Sequence, residues 1–261
     1  MNVFILTDME GISGVNSIDC MDRQNQPYQE SRKRLTEELI FAAEVCRKNG
    51  AEQIYFLDGH GGGGGNILPE LIPQWLQQST LAQWQQLLQD GAVDCQIEIG
   101  SHARAGTVGG FLDHTISSGN VYRHCINGRE YSELGLHAIL CGRYNIPIVF
   151  CSGDEAACTQ AKEYIPDIYT SAVKVAEVRN TAISYPDAKE RIAAGITSAL
   201  QNYQSVKPHK IDLPATVTIT YYRTDMCEKV LARCGDDVTR TDARTLSKTI
   251  FSVNSYYDLR F

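Results

Sequence analysis

Residues 2–7 read NVFILT, a continuous apolar run that stops at Asp8. An unbroken run of this kind is expected of a strand covered on both faces, the situation of a parallel sheet. Beyond it, Leu35, Leu39, Ala42, Ala43 and Cys46 recur at helical spacing, and a basic last turn followed by Gly50 stops that helix. QIYFL (53–57) predicts a second strand, QIEIG (96–100) a third and IPIVF (146–150) a later one. Between the second and third, LPELIPQWLQQSTLAQWQQLLQDG (68–91) is glutamine-rich and predicts a helix with Leu81, Trp84, Leu87 and Leu88 on its apolar face. Asn127-Gly128 between short extended segments is a hairpin signal. Residues 133–144 predict a helix, and Ile192, Ile196, Leu200 and Tyr203 mark another. The alternation implies an α/β fold, a three-layer sandwich with a largely parallel sheet between helices.

The tail has a different character. VKPHKIDLP (206–214) reads as a linker, and ATVTITYYR (215–223) alternates as a half-exposed antiparallel strand does. Residues 1–206 are therefore expected to form the main α/β domain and residues 207–261 a small C-terminal α+β unit. Ile250, Phe251, Val253, Tyr256 and Tyr257 crowd its end. So small a unit buries too little surface to be secure alone, and it is expected to dock on the first domain or on a neighbouring subunit.

Composition narrows the function. The chain has 261 residues, 43% hydrophobic and 21% charged, with a net charge of −7. That balance argues against nucleic acid or an anionic membrane as partner. No apolar run reaches the length of a membrane span, and the N-terminus lacks the basic start of a signal peptide. Nine cysteines without a Cys-x-x-Cys pair fit reduced thiols and a cytoplasmic location.

The chemistry lies where the strands end, since ligands of an open α/β sheet bind beyond the carboxyl ends of its strands. The first strand delivers Asp8 and Glu10, two apart and, on extended backbone, on one side. The second delivers Asp58 and His60, and the third His102 and Arg104. After His60 come five consecutive glycines, 61–65. They lack the Gly-Lys-Ser/Thr ending of a phosphate loop, and the run is too short and too enclosed for a linker. The remaining reading is a permissive backbone built around His60. Carboxylates brought together repel unless a cation offsets them, and carboxylate mixed with imidazole suits zinc or manganese better than calcium or magnesium.

TDMEGISG (7–14), DGHG (58–61), HARAG (102–106), DHTIS (113–117) and INGREYSELGLHA (126–138) stand in the order found in the zinc-dependent D-aminopeptidases, which this chain resembles over most of residues 1–155. The resemblance implies two zinc ions per chain, with manganese or cobalt as substitutes, held by Asp8, Glu10, His60, His102 and Glu133. It implies His114 as the catalytic histidine and short peptides or small amides as substrates, cut after an N-terminal D-residue such as D-Ala. It also implies a ring-shaped homo-oligomer. Asp8, common to the ligand scheme, is the candidate bridge. Two metals about 3.5–4 Å apart would make a nucleophile and an electrophile in one place. His114 would serve as base, acid or stabiliser of the tetrahedral intermediate.

Around this set, His137 lies one helical turn after Glu133 and reads as a sixth ligand or as a packing group behind the ligands. Arg104 reads as a clamp for a substrate carboxylate or as a structural ion-pair partner. Asp58 reads as a receiver of the substrate amine or as a group that orients His60. His124 and His209 read as structural. The five glycines and the glutamine-rich segment depart from the family pattern. Two other functions are open to the same residues: a dizinc hydrolase of another amide or ester, and a metal-binding regulator without turnover.

Overall fold

The computed structural model describes residues 1–62 and 64–261; of the glycine run, Gly63 lies outside the described residues. In chain order the strands are β1 (Asn2–Thr7), β2 (Gln53–Asp58), β3 (Leu76–Gln78), β4 (Cys95–Ser101), β5 (Val121–Ile126), β6 (Arg129–Glu130), β7 (Ile148–Asp154), β8 (Tyr169–Val178), β9 (Thr181–Ser184), β10 (Ala215–Tyr221), β11 (Val238–Arg240) and β12 (Thr245–Ile250). The α-helices are α1 (Gln26–Lys48), α2 (Leu81–Gln89), α3 (Glu133–Arg143), α4 (Glu155–Tyr164), α5 (Ala188–Gln201) and α6 (Thr224–Leu231).

The main sheet runs β3-β2-β1-β4-β7-β8-β9 and is parallel except for the β8–β9 hairpin. Val3 to Leu6 are all buried, as an unbroken apolar strand requires. Ile5, Ile97 and Phe150 align across β1, β4 and β7, and α5 lies so close to that face that Gly195 packs against the Phe150 ring. Helix α1 packs beside α5. The alternate residues point the other way: Trp84 of α2 meets Phe4 with ring centroids 6.0 Å apart and donates to Gln96 at 2.9 Å. Cys141 of α3 reaches the same Gln96 oxygen at 3.3 Å. Helices therefore cover both faces, giving three layers.

Of residues 68–91, only 81–89 are α-helical. Upstream lie a 3-10 turn at Pro69–Leu71 and the short edge strand β3. Pro69 and Pro73 are the reason: each removes a backbone donor and disfavours the helical conformation of the residue before it. The helix begins where Thr80 and Gln83 form a reciprocal capping box.

A second, antiparallel sheet runs β11-β12-β10-β5-β6. Its β5–β6 turn places Asn127 at φ 51° and Gly128 at φ 77°, the pair of left-handed residues a two-residue hairpin needs. The tail strands thus complete a sheet begun by residues 121–130. The chain end docks on the first layer: the Tyr256 amide donates to Gln85 at 2.6 Å, and its ring lies 5.2 Å from His137 and 6.3 Å from Trp84. No helix among the described residues is long and apolar enough to cross a membrane.

The chain leaves β1 for β2 and β3 on one side, then returns to place β4 on the other. Connections diverge at this switch between β1 and β4, so a crevice opens beyond the carboxyl ends of those two strands.

Candidate metal centre

Asp8 follows β1, His60 follows β2 and His102 follows β4, so all three stand at that crevice. Strand alternation is not what aligns Asp8 with Glu10. The strand ends at Thr7, and the chain turns, tied to the end of β4 by Asp8 N–H to the Ile99 carbonyl and Gly11 N–H to the Gly100 carbonyl, both 2.8 Å. The turn carries the Glu10 carboxylate back beside Asp8. His60 opens a short 3-10 turn, and Gly61 and Gly62 beyond it take φ of 58° and 85°, where a Cβ is penalised.

Three donor clusters result, each with its atoms within 4.8 Å of one another: Asp8–Glu10–His60, Asp8–His102–Glu133 and Glu10–His102–His114. His60 Nδ1 is 3.2 Å from Asp8 Oδ1 and 3.0 Å from Glu10 Oε2. His102 Nε2 is 3.3 Å from the other Asp8 oxygen, Oδ2, and 3.5 Å from Glu133 Oε1. One carboxylate thus offers its two oxygens to two clusters.

The donor set fits a metal on an internal test. His102 Nδ1 donates to the Ala103 carbonyl at 3.0 Å, which leaves the lone pair of a neutral ring on Nε2. That Nε2 is buried and has no hydrogen-bond partner among the described residues, although carboxylate oxygens surround it. A buried acceptor facing acceptors is costly alone and satisfied by a cation. The electrostatics agree. Burial by itself would lower the His60 pKa, but Glu10 and Asp8 outweigh it and lift the ring to about 11. Burial would raise Glu133, but His102 and His114 hold it down to about 2. Without an ion these carboxylates would be offset by proton uptake on the imidazoles; a bound cation would take over that role and leave His102 neutral, its Nε2 lone pair available as a ligand.

His114 stacks on His102, rings 4.0 Å apart and 6° from parallel. Its Nδ1 donates to the Leu112 carbonyl at 2.8 Å, so Nε2 faces the cluster, 3.8 Å from Glu133 and 4.0 Å from Glu10. The loop around it is held in an unusual path: Leu112 at φ 50° and Ile116 at φ 66° are left-handed, and strain of this sort gathers at functional sites. Asp154 anchors the loop through the Phe111 amide at 2.7 Å, and the Ile116 amide donates to Glu133 at 2.7 Å. Glu133 itself opens α3, capped by Ser132, where the helix dipole favours a carboxylate.

The three flanking residues divide. Both oxygens of Asp58 accept from Asn66, whose side-chain amide also grips the His60 carbonyl at 2.8 Å, so Asp58 holds the His60 turn through Asn66. His137 Nδ1 is 3.0 Å from Glu98 Oε1, and its ring meets Trp84 edge-on at 5.6 Å. The Arg104 guanidinium reaches Glu163 at 3.0 Å and Glu130 at 3.5 Å, and it does not line the crevice. His124 is buried and donates to the Leu259 carbonyl at 2.8 Å, while His209 contacts Tyr131 at 3.2 Å.

Two buried neighbours of the cluster carry weak signals in the sequence. Glu98 is a charge inside a buried strand, and that oddity in QIEIG marks it. Lys174, wholly buried on β8, donates to the Glu10 carbonyl at 2.7 Å and to the Val15 carbonyl, bracing the loop behind the Asp8–Glu10–His60 cluster. Burial lowers its pKa to about 7 against the pull of Glu38 and Asp154. The crevice opens into a cavity of about 1110 Å³ whose walls include Asp8, Glu10, His60, His114, Tyr256 and Arg260.

Fold and site together define a class: an open α/β protein with a cluster of carboxylates and imidazoles, suited to a borderline divalent metal, at its topological switch. Residues 1–260 match the profile of a peptidase family described as D-aminopeptidase, and the chain belongs to that family of hydrolases. A D-aminopeptidase of Bacillus subtilis (strain 168) is 31% identical over 212 residues, covering 80% of this chain and 77% of its own length. The fold is that of the Zn-dependent D-aminopeptidase DppA from Bacillus subtilis, a self-compartmentalizing protease. The two agree with a TM-score of 0.90 at 24% identity, over 99% of this chain and 95% of that one.

Proposed function

We propose that this peptidase is a dizinc aminopeptidase that releases an N-terminal D-residue, D-Ala or one of similar size, from short peptides. The observation that carries the reading is the division of Asp8 between two donor clusters on the wall of one cavity. Asp8, Glu10 and His60 would hold one ion and Asp8, His102 and Glu133 the other, with manganese or cobalt as workable substitutes. Bound there, the ions supply Lewis acidity, polarising the scissile carbonyl and bringing the pKa of water toward 7. His114, its Nδ1 committed to Leu112, moves the proton at Nε2, taking it from water and returning it to the leaving amine. Asp58 is spent on Asn66, so the substrate amine would be received by Glu10 or by a metal.

D configuration and zinc are supported by what the Bacillus relatives are named for. The self-compartmentalizing character of DppA supports a ring-shaped homo-oligomer here, as do apolar side chains in the open, with Val108 100% and Phe251 78% exposed. Nine unpaired cysteines support a cytoplasmic location. The test is zinc content by elemental analysis together with two dipeptides that differ only at the first α-carbon, each also N-acetylated. We expect about two zinc ions, faster cleavage of the D form and poor cleavage of the acetylated one. Faster cleavage of the L form defeats the stereochemical assignment. Equal cleavage of the acetylated peptide makes the enzyme a hydrolase of another amide, and no turnover with zinc bound leaves a metal-binding protein.

A further inference from the structure

Beside Asp8, Glu10 and Glu133, the cavity is lined by three arginines, Arg23, Arg179 and Arg260. They are not equivalent. Arg179 is committed to Asp113, with 2.9 Å to the carboxylate and 3.2 Å to the carbonyl. Arg23 is exposed and only loosely over Tyr28, at 6.0 Å. Arg260 is partly buried and stacked on two rings, Tyr257 at 4.7 Å and Tyr256 at 5.1 Å. Its main chain is fixed as well, the carbonyl accepting from Lys248 at 2.8 Å. Among the described residues, no carboxylate or carbonyl accepts a hydrogen bond from its guanidinium. Stacking thus holds a planar fork of donors in place and leaves the donors unused, the preorganised state in which arginine binds a carboxylate.

Tyr256 borders the same cavity: its ring lies 5.2 Å from His137, which also lines it. A short peptide with a free C-terminus carries the negative charge that complements Arg260.

Resting on the aminopeptidase reading above, we infer that Arg260 receives the C-terminal carboxylate of the substrate and restricts the enzyme to short peptides with a free C-terminus. The residue is a specificity determinant set in the tail, and Arg104, held by Glu130 and Glu163, is not the carboxylate clamp.

The experiment compares D-Ala-D-Ala with its C-terminal amide on the zinc-loaded enzyme, on Arg260→Met and on Arg260→Lys. The wild type should prefer the free acid. Arg260→Met should lower the acid-over-amide ratio of kcat/KM roughly 10- to 100-fold, chiefly through KM for the acid, because charged hydrogen bonds are lost. Arg260→Lys should fall between, since lysine keeps the charge and loses the fork. A general disturbance of the fold moves both substrates together and leaves the ratio alone. A ratio in Arg260→Met equal to that of the wild type overturns the inference. So does a wild type that cuts the amide as well as the acid, a result that needs no variant. A wild type that binds zinc and cuts neither overturns the aminopeptidase reading with it.

Discussion

Replacing Gly100 by alanine adds one methyl group at the joint between the sheet and the loop that carries Asp8 and Glu10. Gly100, the last residue but one of β4, has φ 84°, and a Cβ there would overlap the Asp8 carbonyl oxygen and stand 2.7 Å from Ile12 Cγ2. Neither neighbour can yield freely, because the Asp8 amide is bonded to Ile99 and the Ile12 side chain is wholly buried. Restoring ordinary contact moves the Asp8 backbone on the order of 1 Å. The left-handed conformation costs an alanine about 1–2 kcal/mol and the forced overlap about 1–3 kcal/mol more, so the native state should lose about 2–5 kcal/mol. Asp8 belongs to two donor clusters, so its displacement reaches both, and a misplacement of that size costs roughly 10²-fold in activity. Gly50→Ala is the control. Gly50 has φ 90° with nothing within 4 Å of its would-be Cβ, so that variant bears the conformational cost of about 1–2 kcal/mol alone. Urea midpoints and zinc content after dialysis are the measurements. If Gly100→Ala keeps its zinc and is no less stable than Gly50→Ala, the steric joint between Gly100 and Asp8 does not exist.

Asp8→Ala should lose both zinc ions, whereas His102→Ala should lose mainly one, read by elemental analysis; equal losses would refute the bridging role. His114→Ala should keep its metal and lose about 10²-fold or more in kcat, and a loss of metal would mean that His114 is a ligand. Burial holds His124 at about 4, below its ordinary 6.5, so the unfolded chain takes up a proton that the native state refuses as pH falls between those values. The stability it preserves is therefore complete above pH 6.5 and lost toward pH 4, a difference of about 3 kcal/mol. His124→Gln should flatten urea midpoints across that window, and an unchanged slope would dismiss the assignment. Light scattering at micromolar concentration should show an oligomer; a monomer would exclude the ring.

Sequence alone carried the local features. β1, β2, β4 and β7 are legible because a strand buried on both faces must be apolar throughout, and α1 because its apolar stripe repeats at the helical period. Asp8, Glu10, His60 and His102 are legible as candidate metal-binding residues because each stands just past a strand, and Glu133 through its resemblance to the family motif. The segment at 68–78 misleads for an equally local reason: its leucines and glutamines favour helix, while two prolines forbid it.

Tertiary structure alone decided what depends on distant pairing. Nothing in the chain order says that β4 returns beside β1, yet that neighbourhood brings His102 within 3.3 Å of Asp8. Lys174 reaches the Glu10 carbonyl across 164 residues, and the Tyr256 amide reaches Gln85 across 171. The periodicities that reveal a helix or strand arise from residues a few positions apart. The brace behind Glu10 and the cavity wall carrying Arg260 arise from layers closing over one another, where burial and hydrogen bonding between remote residues set the geometry.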